Sequence, residues 1–173
     1  MSGFQIRHAK EEDRPEVVRI LKQAWSSPTV VDAGRIYEAD MLPALAAELG
    51  GQVAGLVTYS IEGAECSVVS LNSLHEGIGI GTALLDAVRG EAEAAGCKRM
   101  RLTTTNDNMH ALRFYQRRGW TLAALYRNSI AKARKIKKIP KVGKDGIPLR
   151  DELELELMLK SGRARRDNPL RSR

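Results

Sequence analysis

Seven consecutive residues, Glu76-Gly77-Ile78-Gly79-Ile80-Gly81-Thr82, alternate glycine with isoleucine and run directly into the amphipathic pattern Ala83-Leu84-Leu85-Asp86-Ala87-Val88. This is the signature of a loop becoming a helix. Glycines let the backbone approach a ligand without Cβ atoms in the way, and the first helical turn presents unpaired N–H groups that carry partial positive charge. The chemistry on offer is anion binding, and a phosphate or pyrophosphate is the natural guest. A glycine-rich run can also be a plain hairpin or a helix entry, so its neighbours must decide.

Other residue types capable of chemistry are sparse. The histidines His8, His75 and His110 are too scattered for a metal site, and Cys66 and Cys97 have neither metal-ligand spacing nor the look of a disulfide framework. No metal is expected, and a reducing cytoplasm is the simplest home. The stretch Met1 to Arg7 lacks a basic segment followed by an apolar one, and no apolar run approaches the ~18 to 20 residues of a membrane span. A protein without a membrane partner is expected.

The elements that must position the loop follow from pattern. A chain of 173 residues with 43% hydrophobic and 28% charged side chains fits one globular domain, placed at residues 1–159, with a basic, disordered tail at 160–173. Phe4 to Arg7 predicts a short strand. Glu11-Glu12-Asp13-Arg14-Pro15 opens a helix carrying Val17, Val18, Ile20, Leu21 and Ala24, ending near Pro28. Residues 29–42 are ambiguous, with a second short helix expected over Gly34 to Asp40. Strands are predicted at Ala44 to Leu49, Val53 to Ile61 and Cys66 to Leu74, an antiparallel meander whose last member enters the glycine loop.

The following helix ends at Gly96, Met100 to Thr104 returns as a strand, and Asn106 or Asp107 is expected to cap a helix closed by Gly119. Trp120 to Tyr126 is another strand. Strand, loop, helix, strand is a βαβ unit with parallel strands and a right-handed crossover. Asp151 to Leu159 alternates strictly and predicts a strand with one solvated acidic face. The fold class is therefore α/β (α+β): a mixed, mainly antiparallel sheet flanked by helices around a central βαβ unit.

The glycine loop and the string Asn108-Met109-His110-Ala111-Leu112-Arg113-Phe114-Tyr115-Gln116-Arg117-Arg118-Gly119-Trp120 together resemble the GNAT superfamily, the acetyl-CoA-dependent N-acetyltransferases. Its pyrophosphate loop reads Gln/Arg-x-x-Gly-x-Gly/Ala, which residues 76–81 match except that Glu76 opens the motif. The later segment, Asn-x-x-Ala-x-x-(aromatic or Leu)-Tyr-x-x-x-Gly-(aromatic), matches throughout. The resemblance covers about residues 4 to 127 and the last strand.

It implies acetyl-CoA as co-substrate, with the pyrophosphate on Glu76, Gly77, Ile78, Gly79, Ile80, Gly81 and Thr82, and the pantetheine arm paired with the strand ending at Leu71 and touched by Asn108. It implies Tyr115 as proton donor to the departing thiolate and in contact with the cofactor. Glu65 takes the place where some members carry a general base, with Ser67, Asn72 and His75 as rivals that could orient a water. The other readings of these residues are a surface acid for Glu65, a core aromatic for Tyr115 and a helix start for Asn108. Dimers are common in the family, so a homodimer is among its implications.

Charge is unevenly distributed. Residues 1–126 hold 13 basic and 15 acidic side chains, whereas residues 127–150 hold 9 and 1. That basic insertion replaces a short family connection and includes Arg134-Lys135-Ile136-Lys137-Lys138-Ile139-Pro140-Lys141. It reads either as a solvated charge run or as a segment that shapes the acceptor side and attracts an acidic or phosphorylated acceptor or a nucleic-acid-bound protein. The acceptor expected is a primary amine on a small molecule or a protein. Two other functions compete: a nucleic-acid- or ribosome-associated module, disfavoured because no aromatic stands among the basic residues after Tyr126, and an acyl-CoA-binding regulator without catalysis.

Overall fold

Continuous apolar runs in the middle of the chain and the alternating stretch near its end become a seven-stranded sheet in the order β1-β4-β5-β6-β7-β9-β8. The computed structural model describes residues 3–160, so the tail expected at 160–173 lies, beyond Lys160, outside the described residues. The strands are β1 (Phe4–His8), β4 (Ala44–Leu49), β5 (Gln52–Glu62), β6 (Glu65–Ser73), β7 (Arg99–Thr105), β8 (Thr121–Tyr126) and β9 (Glu152–Met158). A separate hairpin pairs β2 (Thr29–Asp32) with β3 (Arg35–Glu38). The helices are α1 (Arg14–Trp25), α2 (Ile80–Ala94), α3 (Met109–Gln116) and α4 (Ser129–Ala133).

All pairings in the large sheet are antiparallel except β6 with β7, which are parallel and joined through α2, as the βαβ pattern predicted. The central strands are buried on both faces. On one, Val57, Tyr59, Met100 and Leu155 pack under Leu84 and Val88 of α2 and Tyr115 of α3; on the other, Leu56 and Val69 meet Val17, Ile20 and Leu21 of α1 and Val30 and Tyr37 of the hairpin.

Three local expectations are corrected. The helix expected over Gly34 to Asp40 is the β2–β3 hairpin, because Ala33 and Gly34 both take positive φ, 48° and 87°, and close a two-residue turn matching the twist of the strands. The cap of α3 is Asn108, whose Oδ1 accepts from Ala111 N at 3.2 Å, rather than Asn106 or Asp107. The acidic face of β9 is not solvated: Glu152 and Glu154 are buried because the hairpin lies over them.

That covered face holds a buried ionic cluster. Arg101 is 2% exposed and donates from Nη1 and Nη2 to both oxygens of Asp32, at 2.8 and 3.1 Å, and from Nη2 to Glu154 Oε2 at 3.1 Å. Tyr126 Oη donates to Glu154 at 2.5 Å, and Ala33 N donates to Glu152 at 3.2 Å. Burial by itself raises Glu154, but donation from Tyr126 and from the guanidinium groups of Arg101 and Arg99 leaves it below the usual carboxylate range; burial leaves Glu152 above it. The cluster fixes the hairpin to β7 and β9.

Candidate active site

β6 and β7 are paired over Glu65–Arg99, Cys66–Met100 and Ser67–Arg101 only. Beyond Ser67 they separate, and among the described residues the edge of β6 from Val68 to Ser73 has no strand partner on that side. A bulge starts the separation: Tyr59 faces Val68 and Thr58 faces Ser70, so Val69 is the extra residue. It reverses which residues point to which face. Leu71 packs on the α2 side, while Ser70, hydrogen-bonded to Thr58 at 2.7 Å, and Asn72 lie across from Thr58 and Leu56 on the hairpin side.

The gap opens as a cavity of about 650 Å³. Its walls are Val68 to Ser73 of β6, Leu102 to Thr104 of β7, the start of α2, one side of α3, and Trp25 and Lys144. Asn72 also lines it, and its Oδ1 is buried without a hydrogen-bond partner among the described residues.

At one end is the glycine loop. Gly77 and Gly79 have φ of 79° and 88°, a region that side chains with a Cβ rarely adopt, and the chain then enters α2 at Ile80. Ala83 N is the first to find its helical acceptor, Gly79 O at 3.0 Å, so the N–H groups of Ile80, Gly81 and Thr82 remain for a guest. Gly81 packs against Phe114, where a Cβ would come within 3.3 Å of the ring. Arg118 lies over that ring, 3.6 Å from its centroid, and donates from Nε and Nη2 to Thr82 Oγ1 at 2.8 and 2.7 Å. A fixed cation therefore stands beside the free amides, and an anion is favoured there twice over.

Of the residues singled out in the sequence, Leu71, Glu76, Gly77, Gly79, Ile80, Gly81, Thr82, Asn108 and Tyr115 line this one cavity. Ile78 does not; its side chain is exposed and only its backbone serves the loop. Glu76 is exposed as well as lining the rim, so its charge is solvated. Tyr115 is buried between Phe114, ring centroids 5.2 Å apart, and Trp120, 5.8 Å apart. Burial pushes its phenol above the ordinary range, which keeps it protonated at neutral pH.

Glu65 is not brought to the cavity. It stands at the opposite end of β6, roughly 20 Å of strand from Leu71, and its carboxylate accepts from Arg99 Nη1 at 2.6 Å and from Arg35 at 3.5 Å. Of its rivals, Asn72 and His75 line the cavity and Ser67 does not. Sequence reasoning missed Arg118, although Phe114 and Arg118 at helical i, i+4 spacing were a usable signal. It also missed Trp25, which no local pattern connects to the loop.

A family model described as acetyltransferase (GNAT) family matches residues 7–120. The chain belongs to this family. Its GNAT fold is matched by solved acetyltransferases: the IAA acetyltransferase from Bacillus cereus ATCC 14579, with TM-score 0.69 and 19% identity over 90% of this chain and 99% of that one, and a GNAT family acetyltransferase from Elizabethkingia anophelis with acetyl-CoA bound, with TM-score 0.69 and 15% identity over 92% and 100%. Among curated proteins, the uncharacterized protein YdhI of Bacillus subtilis (strain 168) is 44% identical over 131 residues, covering 75% of this chain and 82% of its own length. Among the described residues of this GNAT protein, no helix is long and apolar enough to cross a membrane.

Proposed function

We propose that residues 1–159 act as one N-acetyltransferase domain that moves an acetyl group from acetyl-CoA to a primary amine by direct attack on the thioester. The observation that carries this is the single cavity joining the amide cradle of residues 77–82 to Tyr115 along an unpaired strand edge. The pyrophosphate takes the free amides beside Arg118. The pantetheine arm, an extended chain with amide groups, adds to the open edge of β6 at Leu71 as a strand would, with Asn108 at its side.

A lysine-type amine has a reference pKa of ~10.4, so presenting it neutral at pH 7 costs about 4.6 kcal/mol. Proton acceptors in the lining are His75, Glu76 and His110; Glu65, held by Arg99 outside the cavity, is given no part in this step. The nitrogen attacks the thioester carbon and gives up its proton to the lining, the C–S bond breaks, the thiolate, with a reference pKa of ~8.5, takes a proton from the Tyr115 hydroxyl, and the proton released by the nitrogen restores the phenol by way of solvent.

The test is thiol release from acetyl-CoA with a panel of amines, alongside calorimetric binding of acetyl-CoA. Tyr115→Phe is expected to lower kcat by roughly 100-fold, the scale of positioned acid catalysis, with little change in acetyl-CoA affinity. Equal turnover by the variant removes Tyr115 from the mechanism. Tight acetyl-CoA binding with no turnover on any amine favours a regulator instead.

A further inference from the structure

The basic insertion is a strap fixed at both walls of the cavity. At one wall Lys137 Nζ donates to Trp25 O at 2.7 Å and Thr29 O at 3.1 Å, closing on the end of α1. At the other, Lys144 N donates to Asp107 Oδ2 at 2.8 Å, and Gly143 lies so near that a Cβ there would be 2.1 Å from the same oxygen. Cross-links stiffen the strap between these points and β9: Gly143 N donates to Ile147 O at 2.8 Å, Leu149 N to Lys141 O at 2.9 Å, and Arg134 Nη2 to Pro140 O and Leu149 O at 2.7 Å each. Trp25 and Lys144, from the two anchored ends, both line the cavity.

The strap's charge is uncompensated. Of the nine basic residues between 127 and 150, Arg150 alone forms an ion pair among the described residues. Lys144 is the one that reaches the cavity, and its Nζ rests 3.2 Å from Asn108 Oδ1, a neutral acceptor. The donor's pyrophosphate is not the anion it awaits. That cradle adjoins Arg118 through Thr82, and the Arg118 guanidinium lies over Phe114, six positions along α3 from Asn108 and roughly 9 Å at the helical rise. Lys144 therefore offers a second anion site in the same cavity.

We propose that Lys144 selects the acceptor: an amine that also bears an anionic group, a carboxylate or a phosphate, which pairs with the Lys144 ammonium while the nitrogen faces the thioester. This rests on the acetyl-transfer function given above. The same cation disfavours the ammonium form of a nitrogen brought near it, so the anion supplies binding and the site supplies deprotonation.

Matched acceptors test the idea on the full chain with saturating acetyl-CoA: glycine against glycinamide, β-alanine against β-alaninamide, and O-phosphoethanolamine against ethanolamine. Expected is a kcat/KM roughly 10-fold or more higher for at least one anionic member, the scale of a hydrogen bond to a charged group; the pairs that respond tell carboxylate from phosphate. Lys144→Met should bring the members of that pair together, Lys144→Arg should keep them apart, and acetyl-CoA affinity by calorimetry should be retained in both. Lys138→Met, an exposed strap cation away from the cavity, should leave the preference intact. Equal use of both members in every pair, transfer to the neutral members alone, or a Lys144→Met variant whose main loss is in acetyl-CoA binding overturns the proposal while leaving acetyl transfer standing. Absence of transfer to any amine overturns both.

Discussion

Gly55 of β5 contains no functional group, yet its replacement should disable the donor end of the cavity. A Cβ at this position would lie 2.4 Å from Ile80 Cγ2, 3.1 Å from Asn72 O and 3.2 Å from Leu84 Cδ1. Ordinary contact starts near 3.4 Å, so Ile80 must retreat by about 1 Å. Ile80 is fully buried and β-branched in the first turn of a helix, where its rotamer is fixed, so the backbone of α2 has to move instead. That backbone carries the free N–H groups of residues 80–82. A 1 Å displacement lengthens bonds of about 2.9 Å beyond useful range.

The expected cost of Gly55→Ala is about 1–3 kcal/mol in stability from overpacking, reduced by about 0.4–1 kcal/mol from the stiffer unfolded chain. Acetyl-CoA affinity should fall by roughly 10-fold or more, since each charge-assisted bond lost is worth about 1.5–3 kcal/mol. Urea denaturation and calorimetric titration measure the two effects separately. The decisive comparison repeats Gly55→Ala in an Ile80→Ala background, where the offending methyl is gone and the remaining neighbours need give only a few tenths of an ångström. The two changes should couple by about 1 kcal/mol or more. Strict additivity, or a Gly55→Ala protein with parental stability and affinity, refutes the reasoning.

Arg101→Met strands the buried carboxylates of Asp32 and Glu154, whose side chains are 4% and 6% exposed. The expected loss is about 3–5 kcal/mol by urea denaturation, accompanied by protease sensitivity at the Ala33–Gly34 turn as the hairpin comes loose; a loss under about 1 kcal/mol contradicts the role given to the cluster. Hydrogen bonds from the Arg7 guanidinium hold Asp13 down from 3.8 to about 2. Its folded pKa lies below its unfolded one, so the stabilisation is complete above about pH 4 and disappears as pH falls toward 2, reaching at most roughly 2 kcal/mol. Asp13→Asn should therefore be less stable than the parent at pH 7 and indistinguishable near pH 2. A difference that widens in acid would reverse the assignment.

What could be read from the sequence was what is local in the chain. The strands from Ala44 to Leu74, the loop at residues 76–82 and the Asn108 to Trp120 string each announce themselves within a short window, and together they located most of the cavity. The misjudged positions depend on partners distant in sequence. Strict alternation in β9 marks one face as acidic but cannot say what covers it, and Asp32, which faces that strand through Arg101, is more than a hundred residues away. Glu65 looked like a candidate base because of its place before the loop; Arg99, which occupies it, is brought alongside only by the parallel pairing. The Ala33-Gly34 turn lacks the asparagine or aspartate that usually signals such hairpins, so a helix was expected there. Lys144 reaches the cavity only because Asp107 anchors a turn 37 positions later.

The sheet order places β9 between β7 and β8, and this has a consequence in time. During synthesis β8 emerges before the strand that must separate it from β7, so β8 has no partner and β7 only β6 until the chain has been made past Glu152. Over that interval both edges are exposed and Arg101 lacks one of its two carboxylate partners, Glu154. Long-range pairings of this sort form slowly and leave open edges prone to association. A chain cut short before its last strand should therefore fail as a whole, persisting as an aggregating species instead of a working cradle without a roof.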